Sequence, residues 1–340
     1  MVNLCSAREI PDSSEMRNKL FILIGLILGS AAAALLMPRI TAWIPYDYQV
    51  YVQGARLIRA GLDPHAALPY WYPLPITLFT TVPWSFLPDQ FAWAFAFIPL
   101  GLLHLRYGKR APLCWLFFPL LINVMYGQAE GWLLFPVFWI LEDARGKASL
   151  GMLALMFKPA YAMLTMPYRV AQWIRDRRWR DLFTLLGLGG GMMGAAFLID
   201  PAWHWHLIGG LARRGDNPEL RARNMTIWAF VERGGMWFIP LGLCLIAGVL
   251  LGIAAWRAKE TRAHLMLAVS LFTFPNGLNP VSSMMVLPFV ETRNEILALV
   301  ATSWLVAGLE VLTGGFGGFY LANVFVALAL RVRRVKAGVP

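Results

Sequence analysis

The residue best suited to acid–base chemistry is Asp47, which lies near the start of a polar, tyrosine-rich stretch over residues 45–73. Its carboxylate is ionised at neutral pH and can accept a proton from an attacking hydroxyl group. Such a carboxylate, held where a membrane surface meets an external cavity, suits sugar transfer from a lipid phosphate. The alternative is structural, because an acidic residue in the first turn of a helix is favoured by the helix dipole and can cap the helix.

Lys158 is the second candidate, because it interrupts an apolar stretch over residues 148–167. A cation at the centre of a membrane helix costs about 2.5–3.5 kcal/mol on insertion scales, so a functional role is the first hypothesis. The ammonium group could pair with a lipid phosphate, or the side chain could extend to the membrane surface from a short segment. Pro159 directly after it indicates a break in the helix.

Segment 200–235 contains clustered arginines that suit an anion: Arg213, Arg214, Arg221 and Arg223. Guanidinium groups donate forked hydrogen bonds, so this set fits a phosphate or pyrophosphate leaving group. The alternative is that each arginine only contacts phospholipid headgroups.

Metal-binding patterns are sparse in the sequence. His204 and His206 flank Trp205, and in a strand both rings would lie on one face and could hold a metal ion if another ligand joined them. No obvious third ligand accompanies them, and the sequence has neither an Asp-x-Asp motif nor a glycine-rich phosphate loop followed by Lys and Ser or Thr. We therefore predict no metal ion and no cofactor, and nucleotide-driven transport is disfavoured.

The composition is that of a membrane protein. Of the 340 residues, 58% are hydrophobic and 14% are charged, and the mean hydropathy is +0.57, whereas a soluble domain carries about 25% charged residues. The net charge of +11 falls in short clusters between apolar segments, at residues 106–110, 169–180 and 331–336. This placement is typical of cytoplasmic loops and not of a nucleic-acid-binding surface.

Apolar segments recur along the whole length, which predicts a single all-α integral membrane domain over residues 1–340, with about 10–12 transmembrane or re-entrant helices. The candidate helices are 20–37, 90–105, 112–126, 131–142, 182–199, 236–256, 263–275, 281–290, 296–312 and 316–330. With the basic clusters inside, both termini are inside, and the external segments are 39–71, 127–130, 200–235, 276–280 and 313–315. A helix bundle over 72–199 and C-terminal helices over 236–330 complete the chain.

Prolines interrupt two further apolar stretches, 72–88 and 148–167, which we interpret as re-entrant segments at a site. The first external loop is different, because residues 48–62 predict an amphipathic helix that lies along the membrane interface. Its apolar face consists of Tyr48, Tyr51, Val52, Ala55, Ile58 and Leu62. Its polar face consists of Gln49, Gln53, Arg56 and Arg59.

An ordered set of short motifs runs through most of the chain. In order they are Asp47 before Tyr51, Gly61-x-Asp63-Pro64, Tyr72-Pro73, Leu87-Pro88, Gly127-Gln128, Lys158-Pro159 and Asn279-Pro280-Val281-Ser282. Over residues 45–290 this pattern resembles the family 87 glycosyltransferases, which are integral membrane enzymes of the GT-C type. Each motif is weak by itself, and it is their order that carries the resemblance.

The resemblance implies a GT-C-like bundle that transfers a sugar, often mannose, from a polyprenyl-phosphate donor with inversion at the anomeric carbon. Asp47 matches the family's catalytic residue. The cavity where donor and acceptor meet would be lined by Asp63, Gln128, Lys158 and Asn279, with Tyr72 at its rim. Tyr51, His65 and Ser282 complete the candidate binding residues. His65 and residues 283–285 depart from the family's usual residues, which bears on donor or acceptor preference.

The leading hypothesis is a multi-pass glycosyltransferase of a bacterial cytoplasmic membrane, with its active site on the external face. Asp47 would act as general base, and Lys158 or the arginines of 200–235 would hold the phosphate. The expected partners are a polyprenyl-phosphate sugar, a lipid or glycan acceptor and membrane lipids, without nucleic acid. Two alternatives stay open: a transporter or flippase of a lipid-linked or small polar solute that uses the two broken segments, and a non-catalytic subunit of a membrane complex.

Overall fold

The computed structural model describes residues 13–40, 44–67, 72–215, 225–274 and 280–338, and every regular element within these ranges is helical. The α-helices are α1 (Ser13–Ile40), α2 (Tyr46–Arg59), α3 (Pro64–Ala67), α4 (Leu74–Thr80), α5 (Phe91–Tyr107), α6 (Ala111–Trp115), α7 (Phe118–Tyr126), α8 (Glu130–Leu141), α9 (Lys147–Leu155), α10 (Thr165–Arg175), α11 (Trp179–Ile199), α12 (Trp203–Gly215), α13 (Ile227–Arg233), α14 (Phe238–Arg257), α15 (Arg262–Thr273), α16 (Arg293–Leu312) and α17 (Leu321–Lys336). Short 3₁₀ helices are Pro83–Phe86, Gly108–Arg110, Pro159–Tyr161, Gly235–Trp237, Lys259–Thr261, Pro280–Phe289 and Gly317–Tyr320.

Within the described ranges, four helical segments are long and apolar enough to cross a bilayer: Leu20–Met37, Trp179–Ile199, Gly235–Arg257 and Arg293–Leu312. A bilayer core about 30 Å thick needs roughly 20 helical residues, and these segments meet that length. Their outward faces are apolar, as Leu198 on α11 illustrates with 88% of its surface exposed. The chain is therefore an all-α membrane protein, as its composition predicted.

Helix α2 confirms the predicted amphipathic helix. Its buried residues are Tyr48, Val50, Tyr51, Val52, Gly54, Ala55 and Ile58, while Gln53, Arg56 and Arg59 are exposed. Leu62 is the exception on the apolar face, because the helix ends at Arg59 and leaves Leu62 57% exposed in the following turn. The helical period therefore places the tyrosines correctly and fails only where the helix stops.

Both proline-interrupted stretches are broken helices, as predicted. In the first, α4 starts after Pro73 and a 3₁₀ turn follows at Pro83–Phe86. In the second, α9 ends at Leu155, and Lys158 has an extended backbone with φ −127° and ψ 87° before Pro159. A residue before proline is kept out of the α conformation by contact with the proline ring, so the helix cannot continue through Lys158.

Two predicted helices have a different form. The 112–126 helix is divided into α6 and α7 at Phe117, whose backbone is extended with ψ 113°. Pro119 explains the division, because its ring would clash with a carbonyl of a continuous helix but is tolerated in the first turn of α7. The 281–290 helix is a 3₁₀ helix, Pro280–Phe289, with every residue from Val281 to Phe289 buried.

The buried 3₁₀ segment Pro280–Phe289 lies at the centre of the packing, in contact with α7, α8 and α17. Helix α8 also packs closely on α9, and a Cβ at Gly151 would lie only 2.8 Å from the Pro136 carbonyl oxygen. Glycine is therefore required where α9 crosses α8. This close packing fixes the N-terminus of α8 against the break that follows α9.

Candidate functional site

The start of α2 and the turn before α8 are held together by a glycine contact. Gly127 has φ 65°, a conformation that disfavours other residues. A Cβ at this position would lie 2.6 Å from Pro45 Cβ and 3.2 Å from Tyr48 Cβ. Asp47 is half-buried in the first turn of α2, and Gln128 is buried beside Gly127. Two of the predicted site residues are thus brought to one place by this close approach.

Tyr51 links α2 to both broken segments. Its hydroxyl accepts a hydrogen bond from the Ala129 N–H at 3.2 Å and lies 3.3 Å from the Tyr72 hydroxyl. Tyr72 in turn stacks on Phe157, with ring centroids 4.4 Å apart. Burial raises the pKa of Tyr51 well above its usual range, and the neighbouring Tyr72 and the charges of Asp47 and Glu130 act in the same direction. Tyr51 is therefore a neutral hydroxyl near these two carboxylates.

A buried polar cluster, here called the Glu130 cluster, consists of Glu130, Lys158, Tyr161 and Ser282. Glu130 Oε1 pairs with the Lys158 ammonium group and lies 3.2 Å from the Tyr161 hydroxyl. That hydroxyl donates to Ser282 Oγ at 2.7 Å. The break after α9 supplies Lys158 and Tyr161, the N-terminus of α8 supplies Glu130, and the central 3₁₀ segment supplies Ser282.

The electrostatics of this cluster depend on one completely buried carboxylate. Glu130 has no exposed surface, and the Lys158 side chain is 14% exposed. Glu130 Oε2 has no hydrogen-bond partner among the described residues. An ionised carboxylate can accept about four hydrogen bonds, so acceptor capacity is left over. An ion pair of this kind inside a membrane protein is a functional candidate, because its desolvation is costly.

A second group of polar residues lines a cavity of about 240 Å³, here called the acidic cavity, between the α2–α3 turn and the α11–α12 turn. Asp63, His65 and Tyr72 were predicted as site residues, and all three line it. Asp200 and His206 join them from the other turn, with His206 Nδ1 2.9 Å from Asp200 Oδ2 and 4.0 Å from Asp63 Oδ2. Tyr72 belongs to this cavity and also contacts Tyr51, so it connects the two polar groups.

An apolar groove of about 540 Å³ runs beside both groups, between α4, α11 and the break after α9. Its lining includes Met156 and Pro159, the residues on either side of Phe157 and Lys158. Trp203 forms a wall of both the groove and the acidic cavity. The groove therefore has the apolar lining and the position to hold a hydrocarbon chain beside the Glu130 cluster.

Four predicted binding residues are not described at the site. Arg221 and Asn279 lie outside the described residues. Arg213 and Arg214 belong to the C-terminal end of α12, where the description covers the backbone only. Their part in phosphate binding stays a prediction.

The strand geometry considered for His204 and His206 is wrong. Both residues belong to α12, and residues two apart on a helix point about 200° apart. His206 faces the acidic cavity, whereas the His204 ring lies 5.6 Å from the Phe197 ring centroid. The alternation of the three residues His204 to His206 is too short to specify a strand, and the surrounding residues form a helix. No group of three metal-binding side chains occurs among the described residues.

Sequence reasoning missed Glu130 and Tyr161, the centre of the Glu130 cluster. One signal could have found Glu130, because it is an acidic residue at the start of an apolar run, two residues after Gln128. An isolated cation such as Lys158 in another apolar stretch requires a partner, and Glu130 is the nearest acidic candidate on its N-terminal side outside charged clusters. Tyr161 has no comparable signal, since buried tyrosines are common.

No protein-family model, curated protein or solved structure matches this chain. The chemistry of the site is therefore inferred from its own residues.

Proposed function

We propose that this protein is an inverting glycosyltransferase of the GT-C type. It moves a sugar from a polyprenyl-phosphate donor to a lipid or glycan acceptor at the external face of a bacterial cytoplasmic membrane. Mannose is the sugar proposed. One observation carries the proposal: the break after α9 supplies both Pro159 to the apolar groove and Lys158 to the buried Glu130 cluster. Half-buried Asp47 lies one helical turn from Tyr51, whose hydroxyl accepts from the N–H group of Ala129, the residue before Glu130.

The groove and Lys158 suit the two chemical parts of a lipid phosphate. A polyprenyl chain in the groove is shielded from water by apolar side chains, including Met156 and Pro159. Its phosphate would then lie near Lys158, whose ammonium group has three donors. Glu130 is the acceptor described for it, which leaves donors for phosphate oxygens. Arg213, Arg214 and Arg221 are the further phosphate ligands that the sequence predicts.

The proposed reaction is a single displacement with Asp47 as general base. The acceptor hydroxyl oxygen attacks the anomeric carbon, and its proton passes to the Asp47 carboxylate. The bond from the anomeric carbon to the phosphate oxygen breaks at the same time, and polyprenyl phosphate leaves with that electron pair. Attack from the opposite side inverts the anomeric carbon. Tyr51, as a neutral hydroxyl near Asp47, can orient the carboxylate or the acceptor.

The test is transfer by the Asp47→Asn variant in membranes supplied with labelled polyprenyl-phosphate mannose. Loss of the general base is expected to lower the rate about 10²- to 10⁴-fold. Asp89→Asn is the matched control. Asp89 is exposed and pairs with Arg56 of α2, the helix that carries Asp47, but lies outside the site. Transfer by Asp47→Asn at the wild-type rate would remove Asp47 from the mechanism, and absence of transfer by the wild type with several donor sugars would overturn the proposal.

One observation favours the alternative of a transporter or flippase. Two broken segments meet beside a buried ion pair, Glu130 with Lys158, and discontinuous helices of this kind form the substrate sites of many transporters. Reconstituted vesicles with a fluorescent lipid-linked sugar distinguish the two functions. Movement of the intact lipid across the bilayer without a new glycosidic product would support transport, and product formation at the outer surface would support transfer.

A further inference from the structure

The acidic cavity is built differently from the Glu130 cluster, and the reaction proposed above does not use Asp63, Asp200 or His206. Each of its two carboxylates is held by a backbone N–H group. Asp63 Oδ1 accepts from His65 N at 2.8 Å, and Asp200 Oδ1 accepts from Ala202 N at 2.9 Å. The second oxygen of each is directed to His206, at 4.0 Å for Asp63 and 2.9 Å for Asp200. Two carboxylates from distant parts of the chain are thus fixed around one imidazole.

An unpartnered donor completes the cavity. Trp203 lines it and is only 7% exposed. Its indole Nε1 has no hydrogen-bond partner among the described residues. A buried donor without a partner is unfavourable by about 1–3 kcal/mol, so a ligand acceptor at this position would relieve that penalty. The cavity therefore offers two fixed acceptors, and its wall holds a buried donor without a described partner.

The charge of the cavity selects among ligands. Asp63 and Asp200 repel a phosphate, and Lys158, its proposed partner, does not line this cavity. Hydroxyl groups donate well to ionised carboxylates and accept from an indole N–H. Aromatic walls from Tyr72 and Trp203 suit the apolar face of a ring. The volume of about 240 Å³ lies below the roughly 300–1,000 Å³ of drug-sized pockets, which corresponds to a single sugar ring.

We propose that the acidic cavity binds one uncharged, hydroxyl-rich ring, the sugar of the acceptor. Asp63 and Asp200 accept its hydroxyl hydrogens, and Trp203 donates to a ring or hydroxyl oxygen. The assignment to the acceptor rests on the proposed function, whereas the binding of a sugar ring does not. Tyr72, which lines this cavity and contacts Tyr51, would then lie between acceptor and donor.

The experiment measures binding without turnover. Full-length protein in phosphatidylcholine nanodiscs, free of sugar detergents, is titrated with methyl α-D-mannoside, methyl β-D-glucoside, myo-inositol and ethanolamine, and saturation-transfer NMR gives the affinities. The variants are the double change Asp63→Asn with Asp200→Asn, and Trp203→Phe. Asp89→Asn is the control, because it removes an exposed carboxylate elsewhere.

At least one of the neutral polyols is expected to bind, at least tenfold more weakly to the double variant and about three- to tenfold more weakly to Trp203→Phe. Trp203→Phe keeps a ring in the wall and removes the unpartnered N–H, so its unfolding temperature is expected to stay equal or rise. This separates lost binding from lost folding. Absence of polyol binding, equal binding by both variants, or binding of ethanolamine alone would each overturn the proposal.

The outcome is independent of the transferase test. If polyols bind as expected but no glycosidic product forms with any donor, the sugar site stands and the transferase is rejected. If transfer occurs and is lost in Asp47→Asn while polyols bind both cavity variants equally, the transferase stands and this cavity is not its acceptor site.

Discussion

Two ion-pair clusters connect their carboxylates to different kinds of groups. The Glu295 cluster consists of Glu291, Glu295, Arg331 and Arg334. Glu295 Oε2 alone accepts from the Glu291 and Thr292 N–H groups at 2.9 and 3.0 Å and from Arg334 Nη1 at 2.6 Å. In the Glu130 cluster, Oε1 contacts Lys158 and Tyr161, whereas the buried Oε2 has no hydrogen-bond partner among the described residues.

The difference lies in what each carboxylate is fastened to. Glu295 forms a capping box with Thr292 at the start of α16, so its acceptors complete a helix terminus. Glu130 lies in the first turn of α8 and contacts Lys158 and Tyr161, two side chains from the irregular break after α9. Burial and pairing are common to both. What differs is that the second oxygen of Glu130 is buried without a partner among the described residues, whereas neither oxygen of Glu295 is in that condition.

The largest effect is expected from Glu295→Ala. The Arg334 side chain is 3% exposed. Removal of Glu295 leaves this buried cation with Glu291 as its remaining carboxylate, at 3.2 Å, and also removes the capping box of α16. The two losses together are expected to cost about 3–5 kcal/mol of stability. The free energy of unfolding of the purified protein in detergent measures this. Glu260→Ala, at an exposed position, is the control and is expected to change stability by less than about 0.5 kcal/mol. Equal losses in the two variants would make the anchoring role wrong.

The double variant Glu130→Gln with Lys158→Met removes the other ion pair as a unit. Replacement of both partners of a buried pair is often close to neutral for stability, whereas loss of a placed charge at a reaction site lowers the rate about 10²- to 10³-fold. Unfolding and sugar transfer are measured on the same preparation. Full activity of the double variant would show that the Glu130 cluster, like the Glu295 cluster, has a structural role only.

Gly127→Ala tests the contact that brings α2 to the site. The added methyl group is strained at φ 65° and also meets Pro45 at 2.6 Å, so a loss of about 2–3 kcal/mol is expected. Gly61→Ala is the matched control, because φ is 71° there and no atom lies within 4 Å. The difference between the two unfolding free energies isolates the close approach, and no difference would contradict it.

The smallest effect concerns single hydroxyl groups. Tyr161→Phe removes the bond to Ser282, and Tyr320→Phe removes a 2.8 Å bond to Glu310 at the other end of the fold. Each is expected to lower stability by about 1 kcal/mol. Only Tyr161→Phe is expected to slow transfer, by about tenfold, because only it adjoins the proposed site. A slower rate in Tyr320→Phe of the same size would mean that transfer follows stability alone.

Local patterns predicted the elements of this protein well. The period of apolar residues gave α2 and its buried tyrosines, and Pro73, Pro83 and Pro159 marked the breaks, because each of these effects acts within a few residues. The 3₁₀ form of Pro280–Phe289 was not predicted, since an apolar run looks alike in either helical form.

The candidate site was predicted only in part, because its partners are distant in sequence. Lys158 pairs with Glu130, and Tyr51 bonds to the adjacent Ala129, so the site includes a carboxylate that the sequence analysis did not select. Asp63 was expected with them but belongs to the acidic cavity with Asp200 and His206. Which carboxylate meets which cation depends on helix packing, and that packing is fixed by contacts such as the one at Gly151.

Trp203 has a consequence for how the two cavities communicate. One indole ring walls both the apolar groove and the acidic cavity, so a molecule that displaces the ring from one side changes the space on the other. Thermodynamic linkage makes such an influence reciprocal, with the same factor in both directions. Occupancy of the groove and occupancy of the acidic cavity would then each change the affinity for the other ligand, and the sign of the change depends on whether the two ligands favour the same position of the ring.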